Sequence, residues 1–315
     1  MKAELASNMP FVSVIVPVRN GTETIASCIE GLLNLDYPAD RRELIVVDNL
    51  STDATADIVV RYPGVRLLFE NERPSSYAAR NCGVWASRGE VLAFTDADCV
   101  PERGWLHAMV RALEPANVGG VAGSIRAYTL DSAVERYQAA HALDAARAFA
   151  QPRLPFAQTA NAAYKRAPFL RVGGFDPAIV FGGDLDLSWR LQVATGLSLV
   201  YEPCALVWHR HRTTTAGLYR LYRKNALANC LLARHHEDFA SFPRLRTLLW
   251  AGREAAQSGT RAALSRVTGG DRDATAWFDA ICYVGAASGW MRWHFRGLGT
   301  ARQGTPASVS TMASR

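Results

Sequence analysis

Nowhere does this chain string together the ~18 consecutive apolar residues of a membrane-spanning helix, so no span is expected. Its first residues hold no basic stretch followed by an apolar core, which argues against a secretory signal peptide. The cysteines Cys28, Cys82, Cys99, Cys204, Cys230 and Cys282 form no C-x-x-C pair and mostly have apolar neighbours. They read as reduced, largely buried thiols of a cytoplasmic protein rather than a disulfide or zinc framework. No internal repeat is visible.

What is present is a long, apolar-rich chain with uneven charge. At 315 residues and 49% hydrophobic, it can bury a large core and fits one α/β unit with an appendage. Residues 210–299 hold fourteen Lys and Arg against six Asp and Glu, a local balance of +8, while the first 209 hold nineteen against twenty-three. Any anionic partner is therefore expected at the C-terminal third.

Short β-branched runs at 11–17, 43–48, 65–69 and 91–95 alternate with helical patterns at 23–34, 53–62, 76–88 and 104–113. That rhythm predicts βαβ units and a mostly parallel sheet. Thr52-Asp53 offers a helix N-cap and Gly89 a helix stop. Beyond Pro115 the pattern predicts a strand at 118–125, a long helix at 131–150 and a break at 151–155. The segment 158–164, a turn at 172–176, a helical pattern at 184–194 and two short strand-like runs at 197–201 and 205–208 follow.

The chemistry-bearing residues cluster at predicted strand ends. The first strand runs into Pro17-Val18-Arg19-Asn20-Gly21, and the second into Asp48-Asn49-Leu50-Ser51. A carboxylate, amides and a hydroxyl on adjacent strand ends can grip a base and ribose, although such residues also make turns whatever the function. Arg80 follows in a helical pattern, suited to a diphosphate or to an aspartate. The fourth strand opens into Asp96-Ala97-Asp98, hard oxygen ligands for a divalent cation at the sheet's carboxyl edge.

Strand-Pro-x-x-Asn, strand-Asp-Asn-x-Ser-Thr-Asp, Ala79-Arg80-Asn81-x-Gly83 and strand-Asp-x-Asp, in this order, resemble family 2 glycosyltransferases. The resemblance extends through Thr159-Ala160-Asn161, the turn Val172-Gly173-Gly174-Phe175-Asp176, and Gly182-Gly183-Asp184-Leu185-Asp186 to His209. It implies the GT-A fold, an α/β mostly parallel sheet flanked by helices. The catalytic part would cover 1–212, with nucleotide-sugar binding at about 10–115 and acceptor binding at about 116–212. A basic helical extension at 213–298 and a disordered tail at 299–315 would follow.

The resemblance further implies that Pro17, Arg19 and Asn20 lie near the nucleoside and that Asp48 accepts a hydrogen bond from the base, with Asn49 and Ser51 beside it. Arg80 would lie near the nucleotide or metal loop. Asp98 would hold Mn²⁺ or Mg²⁺, joined by His209, with Asp96 on the ribose or a metal-bound water. Asp184 matches the catalytic base, and Asn161 and Asp186 join the substrate-binding set. The chain departs from the family where Gly183-Asp184 replaces Glu-Asp, and Asp48-Asn49-Leu50-Ser51 replaces Asp-Asp-Gly-Ser. His211 and His235-His236 read as surface or packing residues, and Arg210 and Arg212 as possible aids to the phosphates.

The implied reaction is inverting transfer from a nucleoside-diphosphate sugar to a hydroxyl of a glycan, glycolipid or other acceptor. A bound cation offsets charge on the leaving phosphate, one carboxylate takes the proton, and a single displacement inverts the anomeric centre. The alternatives are a non-catalytic nucleotide-sugar-binding protein and a nucleotidyltransferase. The latter fits less well, because Val18-Arg19-Asn20-Gly21-Thr22-Glu23 is a poor phosphate loop. In the basic third, the uncharged stretch 280–291 lies between Trp277 and Arg292-Trp293. Twelve helical residues span about 18 Å, too short for a ~30 Å hydrocarbon core. The stretch suits either core packing or peripheral contact with the anionic inner face of the cell membrane, whereas nucleic acid is not expected.

Overall fold

The computed structural model describes residues 9–141, 145–150, 154–179, 181–236, 245–268 and 274–295. The predicted break at 151–152 and the tail from 299 fall outside these residues.

Four β-branched, apolar runs form the parallel half of one eight-stranded sheet: β1 (Val12–Val18), β2 (Arg42–Asp48), β3 (Val65–Phe69) and β4 (Val91–Thr95). The sheet order is β3-β2-β1-β4 followed by β7 (Asn161–Lys165), β6 (Val118–Ala127), β8 (Ser198–His209) and β5 (Cys99–Pro101). Only β7 and β5 run against the rest. All seven residues of β1 are buried, as expected of a strand covered on both faces. Because strand side chains alternate, Val12, Val14, Val16 and Val18 pack with helices α1 (Ile25–Leu33) and α4 (Trp105–Leu113). Ile15 faces the opposite core with α3 (Ser76–Ala86), α7 (Arg166–Arg171) and α8 (Gly183–Thr195). Each fully buried Val or Ile of this kind contributes roughly 1.5–3 kcal/mol.

Several boundaries differ from the expectation. The second helix, α2 (Thr55–Val59), is short, and Asp53 Oδ1 accepts a hydrogen bond from Thr55 N (3.1 Å). Gly89 is no helix stop: α3 ends at Ala86, and a Cβ on Gly89 would lie 2.5 Å from Ser13 N, so glycine serves the close approach to β1. The predicted helix 131–150 is helical as α5 (Ala133–His141) and α6 (Ala145–Phe149), with 142–144 outside the described residues. The two late strands are one, β8, because Pro203-Cys204-Ala205 form a bulge between the pairs Gly123/Glu202 and Ser124/Leu206. The unpredicted β5 pairs Cys99 with His209.

Past the sheet come α9 (Thr215–His235), α10 (Leu245–Thr268) and α11 (Ala274–Phe295), with α11 packed on both others. Gly285 and Gly289 let α11 approach α9 backbone to backbone: a Cβ on them would lie 2.8 Å from Tyr219 O and 2.4 Å from Arg223 O. Val134, Tyr137, Leu218, Phe278 and Cys282 form a further core joining α5, α9 and α11. Tyr137 also donates to Asp279 Oδ1 (2.7 Å). The stretch 280–291 is thus in part a packing face. Among the described residues, no helix is long and apolar enough to cross a membrane.

Candidate active site

The carboxyl edge of the parallel strands gathers the site. Asn20 and Leu50, just after β1 and β2, take positive φ (52° and 62°), which turns the chain sharply at both strand ends. The two turns are tied: Asn20 N donates to Ser51 Oγ (2.9 Å) and Thr52 N to Asn20 Oδ1 (2.8 Å). Buried Asp48 accepts Ser51 N on Oδ1 (2.8 Å), while its Oδ2 is buried with no partner. An orphaned carboxylate oxygen is costly, and it is an acceptor ready for a ligand N–H. Arg19 is exposed at the same edge, and Pro17 is buried within β1.

The Asp-x-Asp segment leaves β4 under tight constraint. Buried Arg80 pairs with Asp96 Oδ1, leaving Asp98 to face elsewhere. Arg210 N donates to Asp98 O (2.9 Å), and the β5–β8 pairing sets His209 Nε2 3.5 Å from Asp98 Oδ2. Depth in the cleft and the neighbouring Asp96 charge push Asp98 up to about 7. Burial pushes His209 and His211 down to about 4, so both rings are neutral at pH 7. Their Nδ1 atoms lie 3.2 Å apart; with the proton on His209 Nδ1, its Nε2 lone pair points out as a ligand. A carboxylate oxygen and a neutral imidazole fit a hard or borderline divalent cation. Cys99 Sγ lies close to both, but burial and the two aspartates keep it a protonated thiol.

Asp184 stands at the start of α8. Gly182 precedes it in the left-handed region (φ 77°), pinned beneath Leu232 of α9, whose Cδ1 would lie 2.7 Å from a Cβ there. Asp184 Oδ1 accepts from Tyr77 OH (3.3 Å) and Leu185 N (3.1 Å). Desolvation raises its pKa, and the Arg80 charge opposes that rise. Asp184, Arg80, Asp96, Asp98 and His209 line one cavity of about 580 Å³, walled on the far side by Tyr222, Asn225 and Asn229 of α9. A second space of about 820 Å³ flanks Asp98, lined by Thr24, Ser132, Arg210 and Arg212.

Three expected site residues are spent internally. Asn161 accepts from Trp105 Nε1 (2.7 Å) and donates to Ser124 O and Ala205 O (both 2.7 Å), so its amide fastens β7 to β6, β8 and α4. Asp186 is buried between Arg190 (Nε 2.9 Å) and His236 (Nε2 2.8 Å). Asn49 donates to Glu70 O (3.1 Å) and Arg73 O (2.7 Å), holding the chain after β3. Conversely, the surface-or-packing reading of His211 misses that it lines the cavity beside His209, and that of His236 misses its bond to Asp186. Tyr77 and the α9 wall were absent from the expected site, since no spacing in the sequence joins them to Asp184 or Asp98, whereas Arg212, read as an aid to the phosphates, does line the cavity. Asn81, in the Ala-Arg-Asn run, exchanges two hydrogen bonds with the Phe175 backbone (2.7 and 3.0 Å), so two sequence motifs prove to be one joint.

Residues 13–173 match the sequence model of Glycosyl transferase family 2. The chain is 34% identical over 226 residues to the glycosyltransferase AglE of Haloferax volcanii, covering 70% of this chain and 73% of that protein. It is 34% identical over 211 residues to the pre-mycofactocin glycosyltransferase of Mycobacterium tuberculosis, covering 64% of this chain but 43% of that one. A solved mannosyltransferase, PcManGT from Pyrobaculum calidifontis in complex with GDP-Man and Mn²⁺, superposes with a TM-score of 0.66 at 23% identity, covering 93% of this chain and 89% of its own. That likeness bears out the expected GT-A arrangement of a mostly parallel sheet flanked by helices.

Proposed function

The chain belongs to glycosyl transferase family 2, and from that premise we propose that it transfers a sugar from a nucleoside-diphosphate sugar to an acceptor hydroxyl with inversion, Asp184 acting as general base. The observation that carries the reading is the shared cavity: a carboxylate with a raised pKa and a separate Asp98/His209 donor pair line one space. The acceptor oxygen bonds to the anomeric carbon as the bond from that carbon to the phosphate oxygen breaks, and the acceptor proton passes to Asp184 Oδ2, the oxygen that accepts neither the Tyr77 nor the Leu185 hydrogen bond. A desolvated carboxylate with a pKa nearer neutrality is a stronger base, a contribution of roughly 10²–10⁴-fold.

Asp98 and His209 would hold Mn²⁺ or Mg²⁺, which when bound supplies Lewis-acid neutralisation of the departing diphosphate. The Mn²⁺ in the similar mannosyltransferase structure supports this. Asp48 Oδ2 would accept an N–H of the base, with Arg19 and Asn20 at the nucleoside. The aromatic faces of Phe156, Phe181 and Tyr222 and the amides of Asn225 and Asn229 suit a glycan or glycolipid acceptor. The basic helices, with Trp250 and Trp277 exposed, would rest on an anionic membrane surface.

A panel of nucleoside-diphosphate sugars, screened for metal-dependent release of nucleoside diphosphate, tests the reading. The expected result is turnover with one donor, lost in Asp98→Ala and in Asp184→Asn, and a product of inverted anomeric configuration by NMR. Retained configuration, or undiminished turnover in Asp184→Asn, overturns it.

A further inference from the structure

Tyr77 and Gly183 occupy each other's space. Tyr77 lies in the first turn of α3, capped by Ser75, whose Oγ accepts the Tyr77 N–H (3.3 Å). Its buried ring packs on Phe175 with centroids 5.3 Å apart, and the Arg80 guanidinium sits 5.4 Å from its centroid. Gly183 opens α8, and a Cβ there would lie 2.8, 2.9 and 3.0 Å from three carbons of the Tyr77 ring. Both the ring and the backbone beneath it are held, so no side chain fits at 183 while the ring stays.

The phenol then does what the ring's placement allows. Its hydroxyl donates to Asp184 Oδ1 at 3.3 Å. Burial and the Asp184 charge push the phenol pKa far up, so Tyr77 remains a neutral donor throughout the working pH range. Tyr77 OH and Leu185 N both fall on Oδ1, which leaves the other oxygen of this cavity-lining carboxylate outside both bonds.

Resting on the assignment of Asp184 as base, we infer that Tyr77 is its positioning residue: the ring fills the space above Gly183 and the hydroxyl fixes the carboxylate's orientation and favours its charged form. Gly183 is then the partner that makes room for this device, and its lack of a side chain marks no loss of function.

Tyr77→Phe is the test, because it keeps the ring and removes only the donor. Transfer is measured across pH with the active donor, alongside nucleoside diphosphate binding by calorimetry and thermal unfolding. The expected result is an unchanged nucleotide Kd, a roughly tenfold lower kcat, the effect of one lost hydrogen bond to a charged group, and an acidic limb of kcat moved to higher pH. Gly183→Ala, which drives a methyl into the ring, should lower kcat in the same way, and the double variant should lose less than the product of the two single losses. An unmoved acidic limb, or a loss confined to nucleotide affinity, overturns the inference. Asp184→Asn separates the two levels. If that variant stays active, the base assignment itself fails; if it is inactive while Tyr77→Phe is indistinguishable from the native protein, only the positioning role fails.

Discussion

At the scale of single residues, the cost of the site can be read from Asp184. Its pKa is raised by desolvation above that of an exposed aspartate, so the folded state resists charging it. Below the unfolded-state pKa the group is neutral in both states and no penalty exists. The penalty grows as pH rises through the raised folded-state pKa and is fully present above it. Asp184→Asn is therefore expected to raise the thermal midpoint at neutral pH while abolishing transfer, and the gain should vanish in acid; calorimetric melting at the two pH values checks this. The same side chain predicts that the native rate falls as pH drops through its raised pKa, since only the carboxylate accepts the proton.

At the scale of elements, α9 both walls the cavity and rests on α11 through bare backbone. Gly289 has room for no side chain, with Arg223 O 2.4 Å from where a Cβ would stand. Gly289→Val must push α11 off α9, and it is expected to destabilise the protein by about 1–3 kcal/mol, the usual cost of overpacking. Because Leu232 of α9 also presses on Gly182 beside Asp184, the variant should also raise the acceptor KM more than the donor KM; steady-state kinetics with each substrate varied decides this. The elements themselves were largely legible. β1, β2 and β4 follow from short, buried β-branched runs, β3 from a similar but half-exposed run, and helices α1, α3 and α4 from period-3.6 patterns. β5 was not legible: three residues carry no period, and the strand exists only because β8 pairs with it.

For the whole molecule, charge and shape separate along the chain. The segment 210–299 carries the +8 balance, and its helices expose Leu249, Trp250, Trp277, Val284 and Met291. On α11 the last three are spaced seven apart and so share one stripe, while Tyr283 of the same helix meets Trp250 of α10 at 5.4 Å between ring centroids. If this face rests on anionic lipid, the protein should co-sediment with phosphatidylglycerol vesicles but not with phosphatidylcholine ones. Each Lys or Arg near the surface contributes about 1 kcal/mol, and the binding should weaken as salt rises. Trp250→Ala with Trp277→Ala should reduce it further; indifference to both vesicles at low salt sinks the idea.

Sequence alone determined the parallel α/β half and the order of its motifs, because strand burial, turn chemistry and acidic strand ends are local properties that short runs of residues encode. It also singled out Asp98, Asp184 and His209, which the fold brings to the lining of one cavity. Which side chains meet was decided only by the tertiary structure. Asn161 and Asp186 look no different in sequence from ligand-binding residues, yet Trp105 and the carbonyls of Ser124 and Ala205 occupy the first, and Arg190 and His236 the second. Gly183 reads as a missing carboxylate until Tyr77, distant in the chain, is seen filling its place. Hydrogen-bond capacity is finite and space is exclusive, so a polar residue's availability depends on partners that only folding brings beside it.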